Sequence, residues 1–215
     1  MKVLELFCGT KSFTKVAEAR GHECRTLDND PKFEPTYCMD IMEFEPSLLG
    51  DWRPDVIWAS PPCQCFSVMV ISRNWESKSC SWPIPKRPET IRAMEIVKRT
   101  LTLVKELNPH YFFIENPRAM LRKMAFMQGL NRSFVTYCQY GLDYQKPTDI
   151  WNNCPTWKAR SCKPGDSCHE TAHRGAHAGL QGKGRSMDWT SQVARAIVPP
   201  RLCEEIIIAC EKAIA

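Results

Sequence analysis

Short apolar runs that alternate with helix-like stretches constrain the fold of this chain more than any other feature. Runs with the length and composition of buried strands recur at residues 3–7, 24–27, 36–39, 55–59, 111–114, 134–138 and 149–151. Elsewhere apolar side chains return every three or four positions, which predicts helices from residue 12, over 90–107 and from residue 199. Strands that alternate with helices form parallel sheets with crossover helices. We therefore predict an α/β protein with a doubly wound, mostly parallel sheet.

The composition is that of one ordinary globular domain. The chain has 215 residues, of which 43% are hydrophobic and 25% charged, and these values exclude a wholly disordered or collagen-like protein. No apolar run approaches the ~20 residues that span a bilayer, and the first residues lack a signal-peptide core. We therefore expect a cytoplasmic protein without a membrane partner. The 29 Lys and Arg against 24 Asp and Glu give a net charge of +5, which permits a polyanionic partner.

Twelve cysteines are many for a protein of a reducing compartment. Several lie inside apolar strand or helix patterns, where a thiol behaves as a small buried hydrophobic group. These are Cys24, Cys38, Cys138, Cys203 and Cys210. One further thiol lies in a proline turn and three cluster with histidines, so these four need a chemical explanation.

The predicted carboxyl ends of the first three strands carry residues suited to a nucleoside cofactor, and ligands of open parallel sheets bind at such ends. Gly9 would let a ligand approach the backbone, and Asp28 could accept hydrogen bonds from ribose hydroxyls. Asp40 and Ile41 offer a carboxylate for an exocyclic amine and an apolar side chain for a ring face. An aspartate at a strand end is also a common turn former, so it is the order of these residues together that favours a nucleoside.

Cys63 follows the predicted strand 55–59 in the sequence Ser-Pro-Pro-Cys-Gln. Two consecutive prolines fix a rigid turn, and such a turn presents a thiolate in a set direction, as nucleophilic attack on a substrate carbon requires. Glu115 and Asn116 end the next long strand, so the carboxyl group of Glu115 would lie beside Cys63 and could supply a proton. A surface thiol next to a helix-capping Glu-Asn pair is the other interpretation of these residues.

Seven ordered motifs resemble those of the cytosine-5 methyltransferases, which use S-adenosylmethionine and act on nucleic acid. They are ELFCGTKSF from residue 5, DNDP from 28, MDI from 39, SPPCQCFS from 60, FIENP from 113, QYGLDYQK from 139 and IVPPRL from 197. The resemblance extends over residues 3–151 and again over 190–208. It implies the Rossmann-like fold of S-adenosylmethionine-dependent methyltransferases.

The resemblance also implies a covalent mechanism. Cys63 would attack C6 of a cytosine that is flipped out of its stack, while Glu115 holds and protonates N3. C5 would then take the methyl group, a base would remove the C5 proton, and Cys63 would leave. Gln64 and Asn116 complete the implied catalytic set.

The implied cofactor site combines residues that frame S-adenosylmethionine, bind its ribose and bind its adenine. Its members are Phe7, Cys8, Gly9, Thr10, Asp28, Asn29, Asp40, Ile41 and Pro61. A long loop over residues 65–89 would close over the flipped base. Its basic residues would contact phosphates, although each could equally belong to a solvated charged loop: Arg73, Lys78, Lys86 and Arg87.

The chain departs from the family pattern in four places. Lys11 stands where the first loop normally has a second glycine, which implies a differently shaped turn, and Pro117 replaces a valine. After Gln145 the family has alternating arginines, one of which helps to bind the cytosine ring, whereas this chain reads QKPTD over 145–149. Near the C-terminus, a usual Gly-Asn is replaced by Arg195 and Ala196.

Length leaves room for only a reduced recognition element. Typical DNA enzymes of the family carry a separate recognition domain between the two matching blocks, but here only a basic Cys/His-rich stretch is available, too poor in apolar residues to build a core. Four thiolate or imidazole ligands can bind structural zinc, and free cysteines in an irregular loop are the alternative. The predicted metal ligands are Cys154, Cys162, Cys168 and His173, with His169 as the other candidate for the fourth ligand.

We therefore predict three parts: a catalytic and cofactor-binding domain (1–151), a small basic insertion (152–188) and a C-terminal segment with a helix that packs back (189–215). The expected activity is that of a DNA (cytosine-5-)-methyltransferase acting on double-stranded DNA as a monomer. An RNA (tRNA) methyltransferase, a catalytically silent nucleic-acid-binding module and transfer of a group other than methyl remain open. The small size would suit a compact genome such as that of a phage.

Overall fold

A seven-stranded sheet forms the centre of the fold. The computed structural model describes residues 1–76, 82–169 and 196–214. Its strands are β1 (Lys2–Leu6), β2 (Glu23–Asp28), β3 (Tyr37–Cys38), β4 (Val56–Ala59), β5 (Tyr111–Pro117), β6 (Arg132–Thr136) and β7 (Pro147–Asn152). Its α-helices are α1 (Ser12–Ala19), α2 (Ile71–Asn74), α3 (Pro88–Leu107) and α4 (Pro200–Ile214).

The strands lie in the order β3-β2-β1-β4-β5-β7-β6. β1 pairs in parallel with β2 and β4, and β4 pairs in parallel with β5, whereas β7 runs antiparallel between β5 and β6. The predicted doubly wound, mostly parallel sheet is confirmed. The order reverses between β1 and β4, and open α/β sheets bind ligands at such a switch point, beyond the carboxyl ends of the strands.

An apolar core covers each face of the sheet. The first core joins β1 and β4 to α3 through Leu4, Leu6, Ile57, Val97 and Leu103. The second joins β1, β4 and β5 to α4 through Val3, Trp58, Phe113, Leu202 and Ile206. Each such side chain, when fully buried, stabilises the fold by about 1.5–3 kcal/mol. The two cores therefore hold the strand ends, where the predicted site residues lie, in fixed positions.

The C-terminal helix α4 packs against the N-terminal helix α1. Glu211 on α4 accepts hydrogen bonds from Arg20, at 2.7 Å, and from His22, at 2.8 Å. The backbone N–H of Val198 donates to the Ser12 hydroxyl at 3.3 Å. Within the described ranges, no helix has the length and apolar character needed to cross a membrane.

Two stretches predicted to be irregular have more structure than the sequence pattern indicates. The loop at 65–89, which has little periodicity, contains the short helix α2. At the start of the predicted insertion, Cys154 and Trp157 are buried in the second core, and the Trp157 ring lies 5.9 Å from that of Phe113. Residues 153–159 therefore pack with the catalytic sheet, because their few apolar side chains meet the face that α4 covers.

Glu5 is a carboxyl group buried within the sheet. Its oxygens accept hydrogen bonds from the backbone N–H groups of Phe13 and Thr14, at 3.3 and 2.8 Å, in the first turn of α1. Burial outweighs these bonds and raises the pKa of Glu5 to about 7. The group that fixes the start of α1, next to the loop that follows β1, therefore titrates near neutral pH.

This titration predicts that Glu5 makes the protein less stable as the pH rises. The carboxyl group has an ordinary pKa of 4.5 and a folded pKa of about 7, so the folded state holds an extra proton between these values. The stabilisation from that proton is complete below the unfolded pKa and is lost as the pH rises through the folded pKa. Between pH 5 and pH 8, the wild type should lose roughly 2 kcal/mol of unfolding free energy relative to Glu5→Gln. Urea unfolding of both proteins measures this, and a difference that does not change with pH would contradict it.

Candidate active site

The loop after β1 has an unusual backbone. Phe7, Gly9 and Lys11 all have positive φ angles, of 59°, 44° and 56°. For a residue with a side chain this left-handed conformation costs about 1–2 kcal/mol. The backbone at Lys11 is therefore strained, whereas glycine adopts the same conformation easily. Apart from Gly9 itself and its two chain neighbours, no atom of the described chain lies within 4 Å of the position that a Cβ would take on Gly9. The loop therefore leaves open space beside its glycine.

Asp28, at the end of β2, holds this loop in place. Its two oxygens accept hydrogen bonds from the backbone N–H groups of Gly9, at 2.9 Å, and Asp30, at 3.0 Å. Each carboxylate oxygen has two acceptor sites, so Asp28 can still accept bonds from a ligand. Of the other predicted cofactor residues, Asn29 is exposed beside it, and the Thr10 hydroxyl lies 3.1 Å from that of Ser12.

Asp40 and Ile41 follow β3. Ile41 is buried in the first core, whereas one oxygen of Asp40 accepts the backbone N–H of Met42 at 2.9 Å. The other Asp40 oxygen accepts a hydrogen bond from Arg92 on α3, at 2.7 Å. Sequence reasoning missed Arg92, because the pairing joins residues 52 positions apart.

Cys63 lies in a tight turn after β4. Its carbonyl accepts hydrogen bonds from the backbone N–H groups of Phe66 and Ser67, both at 3.0 Å. The Cys63 side chain is partly accessible and Gln64 is exposed. Cys8, by contrast, is buried, and burial raises its pKa to about 12. Cys8 is therefore a neutral thiol at physiological pH, whereas Cys63 lies partly accessible in the proline turn.

The turn that carries Cys63 is joined to the end of β5. The register of the parallel pair sets Ala59 opposite Ile114, so the residues that follow these two positions emerge at the same edge of the sheet. The buried side-chain amide of Asn116 donates to the Pro61 carbonyl at 3.0 Å. Asn116, predicted as a catalytic residue, thus has the contact of a positioning residue. Glu115 lies next to it on the strand.

Glu115 is 6% exposed and has two partners near its carboxyl group. The Tyr137 hydroxyl donates to Glu115 Oε1 at 2.9 Å. The Lys146 ammonium lies 4.0 Å from the same oxygen and 4.6 Å from the centre of the Tyr137 ring. Burial and the adjacent Glu115 raise the pKa of Tyr137 well above its usual value, so its hydroxyl stays a donor. Both partners were missed, because they reach Glu115 through the pairings of β7 with β5 and of β6 with β7, which local sequence pattern does not reveal.

The buried carboxylate of Asp149 lies within residues 145–149, where the family pattern has alternating arginines. Asp149 on β7 is 0% exposed, and its carboxylate accepts two hydrogen bonds from Arg122, that from Nε at 2.8 Å. Arg132 Nη1 lies 3.7 Å from Asp149 Oδ1. A buried carboxylate is tolerated only when it is paired in this way. The chain therefore has a cation at Glu115 and a paired anion on β7 where the family pattern has arginines.

Hydrogen bonds between residues of the 65–89 loop stabilise its conformation. The buried Trp75 donates its indole N–H to the Cys65 carbonyl at 2.8 Å. Three of the four predicted phosphate ligands have partners inside the loop: Arg73 with Asn74, Lys86 with the Ser72 carbonyl and Arg87 with Glu89. Lys78 lies outside the described residues. Large apolar side chains of the loop are exposed: Val68, Met69, Trp82 and Ile84.

Three thiols and an imidazole converge at the end of β6. Cys138 Sγ lies 3.3 Å from Cys162 Sγ and 3.7 Å from Cys168 Sγ. His169 Nδ1 lies 3.6 Å and 3.4 Å from the same Cys162 and Cys168 atoms. These four ligand atoms all lie within 4.8 Å of one another.

This thiol cluster keeps two of the four predicted metal ligands, Cys162 and Cys168. Cys154 is not one of its members, because it is buried in the second core with its sulfur 3.3 Å from the Thr156 hydroxyl. Cys138, interpreted from sequence as a core filler, takes its place. His173 lies outside the described residues, and the imidazole in the cluster is that of His169.

A glycine loop lies at the switch point of the mostly parallel sheet, and a thiol and a carboxyl group lie on neighbouring strand ends, as expected for the Rossmann-like methyltransferases that the sequence resembles. The model of the C-5 cytosine-specific DNA methylase family matches residues 1–134. The chain belongs to this family and is a cytosine-5 methyltransferase. The predicted enzyme class is thereby confirmed.

The chain also resembles individual proteins. It is 28% identical over 221 residues to a protein of frog virus 3 (isolate Goorha) described as a "Probable DNA (cytosine-5)-methyltransferase", and the match covers 98% of this chain and 100% of that protein. The resemblance therefore extends through the C-terminal part of the chain, beyond the family match.

Two solved structures share the fold. An E. coli protein described as a "putative DNA modification methyltransferase encoded within prophage" matches with a TM-score of 0.51 and 17% identity, over 71% of this chain and 46% of that one. The Entamoeba histolytica methyltransferase EhMeth matches with a TM-score of 0.51 and 12% identity, over 74% of this chain and 55% of that one. The chain thus spans about half the length of these structures.

The buried Asp149 predicts a large effect of removing its partner. Arg122→Met should destabilise the fold by roughly 3 kcal/mol, because it leaves a buried carboxylate without its main cation. Adding Asp149→Asn to that variant should restore much of the loss, since the buried charge is then gone. Urea unfolding of the wild type and both variants tests this. Equal stability of the single and double variants would show that the pair does not couple.

Proposed function

We propose that the protein transfers a methyl group from S-adenosylmethionine to C5 of cytosine in double-stranded DNA. The observation that carries the proposal is the placement of Cys63 and Glu115 at the same edge of the sheet, on neighbouring parallel strands, with Asn116 bonded to the Pro61 carbonyl. A nucleophile and a proton-donating carboxyl group at this edge suit covalent attack on an electron-poor ring.

The cofactor loop fits S-adenosylmethionine. Gly9 leaves open space at the switch point, Asp28 can accept further hydrogen bonds from ribose hydroxyls, and Asp40 lies after β3 for an exocyclic amine. Asp40 would have to share its carboxylate with Arg92 or exchange that partner for the ligand. When bound, S-adenosylmethionine supplies the electrophilic methyl group.

The residues of the chain perform the remaining chemistry. The Cys63 thiolate attacks C6 of a flipped cytosine, and a proton from Glu115 to N3 takes up the electron pair that the attack displaces. C5 then becomes nucleophilic and receives the methyl group. N3 returns its proton to Glu115, a base removes the C5 proton, the C6–sulfur bond breaks, and Cys63 returns to a thiolate. Tyr137 and Lys146 stabilise the Glu115 carboxylate once it has given up its proton.

DNA is favoured over RNA as the substrate by the family and by the description of the frog virus 3 protein. The exposed apolar residues of the 65–89 loop, such as Met69, which is 76% exposed, suit a surface that meets a flipped base and its neighbours. The Lys146 ammonium beside Glu115 weakens the alternative of a catalytically silent module, since a cation is present despite the lost arginines.

The decisive assay offers labelled S-adenosylmethionine with duplex DNA or tRNA, followed by mass spectrometry of the nucleosides. We expect 5-methylcytosine in DNA. Cys63→Ser should abolish turnover and retain cofactor binding, because the serine hydroxyl is a far weaker nucleophile. Cys38→Ser, which changes an exposed cysteine on β3, is the matched control and should retain turnover.

Three outcomes would contradict the proposal. Modified cytosine in tRNA alone would show that the substrate is RNA. Turnover retained by Cys63→Ser would show that another group is the nucleophile. The absence of 5-methylcytosine from both substrates would reject the activity.

We expect removal of the Lys146 charge to lower kcat more than it changes the binding of S-adenosylmethionine. A unit charge 4 Å from Glu115 contributes between about 1 and 4 kcal/mol, depending on how water screens it. Lys146→Gln should therefore lower kcat about tenfold or more, with the KM for S-adenosylmethionine nearly unchanged. Lys146→Arg keeps the charge and should retain most of the rate. Equal kcat values for Lys146→Gln and the wild type would remove Lys146 from the mechanism.

A further inference from the structure

The thiol cluster has the dimensions of a tetrahedral metal site. Zinc binds thiolate sulfur at ~2.3 Å and imidazole nitrogen at ~2.0–2.1 Å, so the ligand atoms of a tetrahedral site lie roughly 3.4–3.8 Å apart. Four of the six separations in the cluster are 3.3, 3.4, 3.6 and 3.7 Å, and all six are within 4.8 Å, so small shifts of the side chains would close the site around an ion. A single disulfide would use two of the thiols at a bond length of ~2.05 Å and would leave a thiol and the imidazole unexplained.

Hydrogen-bond donors around Cys162 provide a second, independent indication. The Thr136 hydroxyl and the Gln145 side-chain amide lie 3.3 and 3.2 Å from Cys162 Sγ, both oriented to donate to it. The backbone N–H of Cys162 donates in turn to Thr136 at 2.9 Å. Such donors favour a thiolate, and outer partners of this kind orient the ligands of metal sites.

We propose that Cys138, Cys162, Cys168 and His169 bind one Zn²⁺ ion. Four protein ligands fill a tetrahedral coordination sphere, so the ion is structural and does not take part in the reaction. It ties the segment that follows β7 to the end of β6. Residues 160–169 have few apolar side chains to hold them there, so metal binding supplies the stabilisation that a hydrophobic core supplies elsewhere.

The site is adjacent in sequence to both partners of Glu115. Cys138, a ligand, follows Tyr137, whose hydroxyl reaches Glu115. Gln145, which donates to the ligand Cys162, precedes Lys146, whose ammonium lies beside the same carboxyl group. The metal therefore positions the two side chains on which Glu115 depends. This link goes beyond the proposed activity and rests on it only for the effect on rate.

Metal content of the intact protein tests the site without any activity assay. Protein purified without added zinc should contain about one Zn²⁺ per chain by elemental analysis. Exchange for Co²⁺ should give the intense visible bands of tetrahedral cobalt with sulfur charge transfer. Cys138→Ala should lose the metal, and His169→Cys, which offers a fourth thiolate, should keep it.

Cys154→Ala and His173→Ala are the matched controls, because both residues belong to the ligand set predicted from sequence. Both variants should retain one zinc. Metal retained by Cys138→Ala, or lost from either control while its circular dichroism stays native, would overturn the ligand set. Wild-type protein that holds neither Zn²⁺ nor Co²⁺, or whose cluster thiols prove to be a disulfide, would overturn the site itself.

The link to Glu115 has its own readout. Cys138→Ala that remains folded should lower kcat about tenfold and leave the KM for S-adenosylmethionine unchanged, whereas His169→Cys, which keeps the metal, should keep the wild-type kcat. A loss of metal with unchanged kcat would leave the zinc site standing and reject its positioning role. Should the wild type show no methyl transfer, metal content still decides the site.

Discussion

The parallel pairing of β4 with β5 is the constraint on which the rest of the site depends. It brings the turn after β4 and the end of β5 to one edge of the sheet, and the bond from Asn116 to the Pro61 carbonyl fixes their relative position. Both strands are buried between two apolar cores. A thiol in a proline turn and a carboxyl group on a strand thus acquire a fixed geometry from packing alone.

The antiparallel pair β6–β7 adds the electrostatic environment. It carries Tyr137 and Lys146 to Glu115, and it holds Asp149 paired with Arg122 in the region where family members have arginines. A lysine from the neighbouring position thus supplies a positive charge beside the carboxyl group. The thiol cluster contacts Thr136 at the end of β6 and Gln145 just before β7, so the proposed proton donation and the proposed metal site depend on the same structural unit.

Local pattern was enough to predict the sheet, the long helix and the placement of the turn after β4 and the end of β5 at one edge, because buried parallel strands have continuous apolar runs and end at a common edge. It was not enough for the thiol cluster. Cys138 lies within an apolar run and was interpreted as a core residue, while its metal-site neighbours lie 24 and 30 residues further on. Cys154 has the spacing of a ligand, yet its apolar surroundings draw it into the second core. Lys146 and Arg92 likewise act through contacts between distant segments, which periodicity does not reveal.

The central claim is that Cys63 forms a covalent bond to cytosine C6, and trapping that bond tests it most directly. In duplex DNA containing 5-fluorocytosine at the target, the fluorine at C5 replaces the proton that must leave, so the enzyme cannot release the base after methyl transfer. With S-adenosylmethionine present, we predict a stable protein–DNA adduct whose peptide mass spectrum places the attachment at Cys63. An adduct through another cysteine, or none on DNA that the enzyme otherwise methylates, would contradict the account.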